Sequence, residues 1–201
     1  IRGNKVIDGT RIEYFEKPLA DIYQTVNEDF LHQNNATLTI FGISKIIYAK
    51  DNQLKQLQEY VVSKFATPLL SLSDDEAKEQ VSIINNRMEK LKQYAETDSP
   101  YFEHLYHLTI EKIRRFYHNL MGIPRIETSK GFRLYTDEKY RRAFCINQIP
   151  ERFFIEMYFE AISNINLDKI QKYNLVYKLY EFAKRNVVLD KDYRISIKSR
   201  N

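Results

Sequence analysis

Between Phe102 and Leu120 the apolar residues fall at helical spacing over more than five turns, and this stripe constrains the fold more than any other feature of the chain. At about 100° per residue, Phe102, Leu105, Tyr106, Thr109, Ile113, Phe116, Tyr117 and Leu120 share one broad face. A face that wide is stable only when other elements cover it. Neighbouring segments of similar period supply the cover: a long helix over about 74–94, amphipathic stretches over about 136–145 and 150–162, and a final helix with Ile170, Tyr173, Tyr177 and Tyr180 in register. The expected arrangement is therefore a helical bundle. Composition agrees, because five Gly and five Pro in 201 residues are too few for an all-β chain with many tight turns. Fifteen Tyr and twelve Phe give such a bundle bulky core material.

The first seventy residues read differently. KVIDGTRIEYF contains two short β-rich runs around Asp8-Gly9, the dipeptide that most readily supplies the positive φ angles of a tight hairpin. Alternation on the second strand sets Arg11, Glu13 and Phe15 on one face and Ile12 and Tyr14 on the other. Glu13 thus lies mid-strand among apolar neighbours, where an unpaired buried carboxylate would be costly; it needs an Arg, a metal or open water. After Pro18, the residues Leu19, Ile22, Tyr23, Val26 and Phe30 predict a helix ending near 32–35. A mixed segment follows, then IIYAKDNQL as a short strand turning at Asp51-Asn52 into a helix over 54–65, a βααβα-like order. Pro68 and SLSDDE mark a junction, with Ser71 or Ser73 placed to cap the next helix. In TDSP a second break leaves Pro100 for the first turn of the following helix. The fold class expected is α+β and mostly α, divided into 1–70 and 71–201.

Charge and cysteine content narrow the function. Thirty-one basic against 27 acidic side chains give +4, too little for a general nucleic-acid binder. Cys145, the single cysteine, has no intramolecular disulfide partner, which together with the absence of a signal-like start points to a reducing cytoplasm. The most apolar window, 38–49, is interrupted by Lys45 and is far shorter than the roughly 20 residues of a membrane span.

Several constellations could carry chemistry. His104, His107, Glu111 and His118 line the side of the 102–120 helix opposite its apolar stripe. Imidazole and carboxylate at i, i+3 and i+7 could converge on zinc, although the spacing matches no established zinc signature and a solvated polar face explains it as well. A helical ribonuclease pairing of Arg with a His five positions later is not met: Arg114 and His118 are four apart, Arg115 and His118 three. Basic clusters at Arg114-Arg115, at Lys139 with Arg141-Arg142 and at the C-terminus could each neutralise phosphate or simply form solvated helix faces. Lys130, before Gly131 at a loop-to-helix junction, could act as a point charge on phosphate. A Gly-rich phosphate loop, a dinucleotide fingerprint, a Cys/His ribbon and a serine nucleophile elbow are all missing from the sequence.

KVIDGTRIEYFEKPL, the apolar helix after it, and IIYAKDNQLKQLQEYVVSKF resemble the later part of a nucleotidyltransferase domain of the DNA-polymerase-β superfamily, in its small bacterial branch related to aminoglycoside and lincosamide nucleotidyltransferases. DSPYFEHLYHLTIEKI, SKGFRLYTDEKYRRAF and IPERFF resemble the helical substrate-side domain of the same proteins. The resemblance covers nearly the whole chain and rests on diffuse pattern. It implies that Glu13 is the third metal-binding carboxylate, holding Mg2+ or Mn2+ that neutralises a nucleoside triphosphate and activates an acceptor hydroxyl for attack on the α-phosphorus. By the same resemblance, Asp98, Glu103 or Glu111 could take the acceptor's proton, and Lys130 could bind the triphosphate. Tyr106 could stack on a ring, but its place on the apolar stripe assigns it to core packing. The family's Gly-Ser followed by Asp-x-Asp is not among these residues and is expected upstream of Ile1, so the 201 residues alone are expected to be inactive.

Two other readings are open at this level. One is a noncatalytic interaction or regulatory protein that keeps the fold, for which an apolar patch and homodimerisation would fit. The other is a metal-dependent hydrolase using His104, His107 and Glu111.

Overall fold

The computed structural model describes residues 2–32, 34, 36–66, 71–123, 128–144, 146 and 148–189. Strands β1 (Arg2–Ile7) and β2 (Thr10–Phe15) pair antiparallel, with Ile7 opposite Thr10, Lys5 opposite Ile12 and Asn4 opposite Glu13. Asp8 and Gly9 both take positive φ, 48° and 76°, as a two-residue type I′ turn requires. Gly3 faces the Tyr14 ring so closely that a Cβ there would lie 2.7 Å from it.

Helix α1 (Leu19–Leu31) starts after Pro18 and buries Ile22 and Val26. In its last turn Asp29 accepts from residues beyond the helix: from the Thr37 backbone N–H at 2.8 Å, from the Thr37 hydroxyl, and from Asn34 Nδ2 at 2.8 Å. That carboxylate launches a π-helical turn over Leu38–Gly42, which packs on α2 (Gln53–Ala66). Gly42 is required by close approach, since a Cβ would meet Leu38 at 2.7 Å and Val61 at 3.1 Å. The strand expected at IIYAKDNQL is absent: residues 45–49 have no regular structure, with Ile47 92% and Tyr48 81% exposed. A strand needs a ladder partner, and among the described residues the sheet has only β1 and β2. Gln58 instead ties this segment to α2 by donating to Ser44 O at 2.7 Å.

The remaining helices are α3 (Asp74–Glu96), α4 (Phe102–Leu120), α5 (Thr128–Thr136), α6 (Glu138–Ala143), α7 (Arg152–Ser163) and α8 (Lys169–Lys184). Ser73 caps α3 in a reciprocal box with Glu76, and Asp168 caps α8 with Gln171, each satisfying orphan backbone donors. The amphipathic segment expected over about 136–145 contains α6, which Asp137 caps by accepting from Tyr140 N at 2.9 Å, while α5 precedes it and ends at Thr136. Helices α3, α4, α7 and α8 pack into one core that includes Ile84, Leu91, Phe102, Ile113, Phe154 and Leu179. Ile22, Leu38, Leu57 and Val61 belong to a second buried cluster, and Ile123, Leu134, Tyr140 and Ile146 to a third.

On α8 the expected register is rotated. Lys172, Val176, Leu179, Tyr180 and Ala183 are buried, whereas Ile170 and Tyr177 are exposed. Small and aliphatic side chains let α8 approach α3 and α4, and the buried Tyr180 donates its hydroxyl to Val81 O at 3.1 Å and Asn85 Oδ1 at 2.6 Å on α3. The chain is mostly helical, as expected, with one small antiparallel sheet. Among the described residues no helix is long and apolar enough to cross a membrane. The junction expected near Pro68 lies outside the described residues, as does Cys145.

Candidate functional site

Glu13 projects from the centre of β2 on the face it shares with Arg11, opposite Asn4 across the ladder. Its neighbours on that face include the polar Arg11 and Asn4 as well as the exposed Val6. The side chain is 60% exposed and lies 3.7 Å from the Arg11 guanidinium, which also donates to Asn4 Oδ1 at 3.4 Å. Of the partners that its mid-strand position called for, Glu13 has an arginine and water. An exposed pair at that distance contributes about 0–1 kcal/mol, so Arg11 can give way to another cation.

The three carboxylates expected to act on an acceptor are placed apart. Asp98 sits in the α3–α4 connection with φ 50° and pairs with Lys169 at 2.5 Å; the same ammonium donates to the carbonyls of Asp98 and Ser99. Glu103, in the first turn of α4, pairs with the buried Lys172 at 2.8 Å. Both ties join the start of α8 to the start of α4, which makes these two carboxylates clamps between helices. Glu111 belongs to a different arrangement. Its Oε2 accepts from Arg114 Nη2 at 2.8 Å and its Oε1 from the Tyr158 hydroxyl at 3.0 Å. Two such donors fix the carboxylate between α4 and α7.

Arg114 is only 2% exposed, and one turn further along α4 lies His118, equally buried, with Nε2 2.9 Å from the Tyr135 hydroxyl. Burial pulls the Arg114 pKa down, and Glu111 outweighs it, so the net shift is upward and the guanidinium stays charged. Burial and then the Arg114 charge push His118 down to about 3, leaving a neutral ring. Burial raises Tyr135 to about 12 and raises Tyr158 as well, with Glu111 reinforcing the latter. At neutral pH the network is thus a compensated ion pair, two protonated phenols and a neutral imidazole. It holds α4 to α5 and α7.

The face expected to be solvated at His104, His107, Glu111 and His118 is so only in its first half. His104 and His107 are exposed, but α5 and α7 cover the second half of α4 and bury His118. The zinc constellation is therefore divided between water and core. Among the described residues no group of three or more His, Cys, Asp or Glu side chains converges as a metal site. Tyr106 packs in the core, its hydroxyl donating to Ala161 O at 2.6 Å and its ring stacked on Phe102. Lys130 falls in the first turn of α5, and its side chain lies outside the described residues.

Tyr135 and Tyr158 were missed in the sequence because long-range packing on α5 and α7 brings them to Glu111 and His118. Arg114, expected with Arg115 to neutralise phosphate or to form a solvated helix face, is buried instead, on the same face of α4 as Glu111 and His118. A cavity of about 430 Å³ opens elsewhere, between the start of α3 and the ends of α4 and α8, with Asp74, Lys78, Tyr117 and Arg185 among its walls. None of the residues expected to act lines it. No known family, characterised protein or solved structure matches the chain.

Proposed function

We propose that this chain contributes the third-carboxylate hairpin and the helical acceptor side of a metal-dependent nucleotidyltransferase, which moves a nucleoside monophosphate from a nucleoside triphosphate to a hydroxyl acceptor. The observation that supports this reading is the presentation of Glu13, on a regular two-residue hairpin, with its carboxylate turned to solvent beside an exchangeable arginine. A Mg2+ or Mn2+ ion held there would neutralise triphosphate charge and favour attack on the α-phosphorus. One carboxylate makes an incomplete oxygen set for such an ion, which takes about six ligands, so Glu13 fits as one member of a set. The role of Glu13 is to hold that charge at the hairpin, with β1 fixing its strand in register. Arg11 moves aside or turns to the nucleotide's phosphate.

Among the acceptor-side candidates, Glu103 and Glu111 are each tied to a buried cation, Lys172 and Arg114, which leaves Asp98, with its 90% exposed side chain, the most accessible to an acceptor. The test is nucleotide transfer by the intact protein to a panel of hydroxyl acceptors, with Mg2+ or Mn2+ and each nucleoside triphosphate. Glu13→Gln is expected to abolish transfer; retained turnover would exclude the metal role.

A second reading, a noncatalytic interaction protein, draws on the apolar side chains that the hairpin and the 46–48 segment expose, among them Val6, Ile12, Ile47 and Tyr48. It predicts no heat of binding when the intact protein is titrated with ATP and magnesium. The transferase reading predicts saturable binding in the same titration.

A further inference from the structure

The cavity of about 430 Å³ at the start of α3 and the ends of α4 and α8 has two kinds of wall. Its size falls within the roughly 300–1,000 Å³ of small-molecule sites. Ala77 from α3 and Ala183 from α8 both line it and are both buried. A single methyl group at each position leaves space that a longer side chain would take. Met121 after α4 and Val187 after α8 extend this apolar wall.

The other wall is polar, and its chief group is held in place. The Arg185 guanidinium lies over the Phe182 ring, 3.9 Å from its centroid, and its Nη1 donates to Phe182 O at 3.1 Å. Its Nη2 donates to Glu151 Oε1, which also accepts from the Tyr117 hydroxyl at 3.1 Å. These ties orient the fork while using two of the five N–H donors of a guanidinium, so an incoming acceptor meets a group that is already ordered. Lys78, half-buried one turn on from Asp74, adds a second cation to the lining. Asp74 is the one acid among the described lining residues, and it is exposed to water.

A molecule that matches both walls has an apolar body and an anionic head. The body would displace water from the alanine side, and the head would accept charge-assisted hydrogen bonds from the guanidinium and the ammonium. A carboxylate suits a planar fork, and a wholly polar anion would leave the apolar wall uncovered.

We propose that this cavity is a binding site for a small carboxylic acid with an apolar body, its carboxylate on Arg185 and Lys78 and its body against Ala77, Ala183 and Met121. The site stands independently of the transferase reading, since no residue assigned to transfer lines it.

The test is calorimetric titration of the intact protein with two acids, 1-naphthaleneacetate and decanoate, and with 1-naphthalenemethanol and 1-naphthylmethylamine as neutral and cationic counterparts of the first. Saturable binding of at least one acid is expected, with the alcohol about tenfold weaker than naphthaleneacetate and the amine weaker still. Arg185→Gln and Lys78→Gln should each weaken acid binding by about tenfold. Ala183→Leu should remove it by filling the space. An unfolding midpoint measured on each variant separates a lost site from a lost fold, and Lys78→Gln, which leaves the Arg185 contacts in place, guards the charge assignment. Glu13→Gln should bind the acids like the parent. Failure of both acids to bind, or affinity unchanged in folded Ala183→Leu, overturns the site. An alcohol or amine that binds as tightly as naphthaleneacetate, or affinity unchanged in both charge variants, overturns the carboxylic-acid assignment.

Discussion

The hairpin and the helical bundle are held by opposite means. In β1 and β2 the residues Val6, Ile7, Ile12 and Tyr14 are all substantially exposed, and order comes from the Asp8-Gly9 turn and the ladder. In the bundle, Phe102, Ile113, Phe154 and Leu179 are fully buried, and even an arginine and a histidine are drawn inside. The contrast shows where chemistry can be changed at low structural cost. A carboxylate on the hairpin is open to exchange its partner, whereas Glu111 cannot leave Arg114 without stranding a buried cation.

The sharpest way to break this comparison is at Arg114. Arg114→Ala leaves Glu111 without its main partner and opens a cavity beside Gly131; since Glu111 is partly exposed, a loss of about 3 kcal/mol is expected from denaturant unfolding. A loss within about 0.5 kcal/mol would place the network on the same footing as the hairpin pair.

Acid should act next. His118 is neutral in the folded chain down to about pH 3, whereas the unfolded chain takes up its proton near pH 6.5. Between those values the unfolded state binds the extra proton. The His118 contribution is therefore present in full above about pH 6.5 and is lost as pH falls, at up to about 1.4 kcal/mol per unit. Thermal melts of the parent and of His118→Gln from pH 7 to 4 measure it; the variant should show the shallower slope. Parallel slopes would mean that the imidazole is not held neutral.

A smaller effect is expected at the turn. Gly9→Ala places a Cβ at φ 76° in open space, so strain alone acts, at about 1 kcal/mol, and amide protection should drop in β1 and β2 while the bundle amides keep theirs. Loss of protection across α3 and α4 would show that hairpin and bundle unfold together. Smallest in stability is Glu13→Gln, expected within about 0.5 kcal/mol of the parent because its side chain and its pair with Arg11 are exposed.

Legibility in the sequence follows the same division. Asp8-Gly9, Pro18, and Ser73 with Glu76 act on residues a few positions away, and each could be read directly. The α4 stripe was equally plain, since nineteen residues of one period leave little choice of face. The strand at 46–49 was misread because apolar β-formers do not make a strand without a ladder, and ladders are tertiary. The register of α8 was right only in part: Tyr180 is buried as expected, whereas Ile170 and Tyr177 are exposed and Val176 and Ala183 are buried in their place. Of the candidate site, Glu13 and the alignment of Glu111 with His118 could be read locally. That α5 and α7 would bury half of this face, and bring Tyr135 and Tyr158 to it, could not.

Glu13→Gln in the intact protein tests the account most directly, with stability and nucleotide transfer measured on the same preparation. The account predicts an unchanged unfolding midpoint and loss of Mg2+- or Mn2+-dependent transfer of nucleoside monophosphate. Transfer at the parent rate by the variant would contradict it, and would leave the hairpin without a part in catalysis.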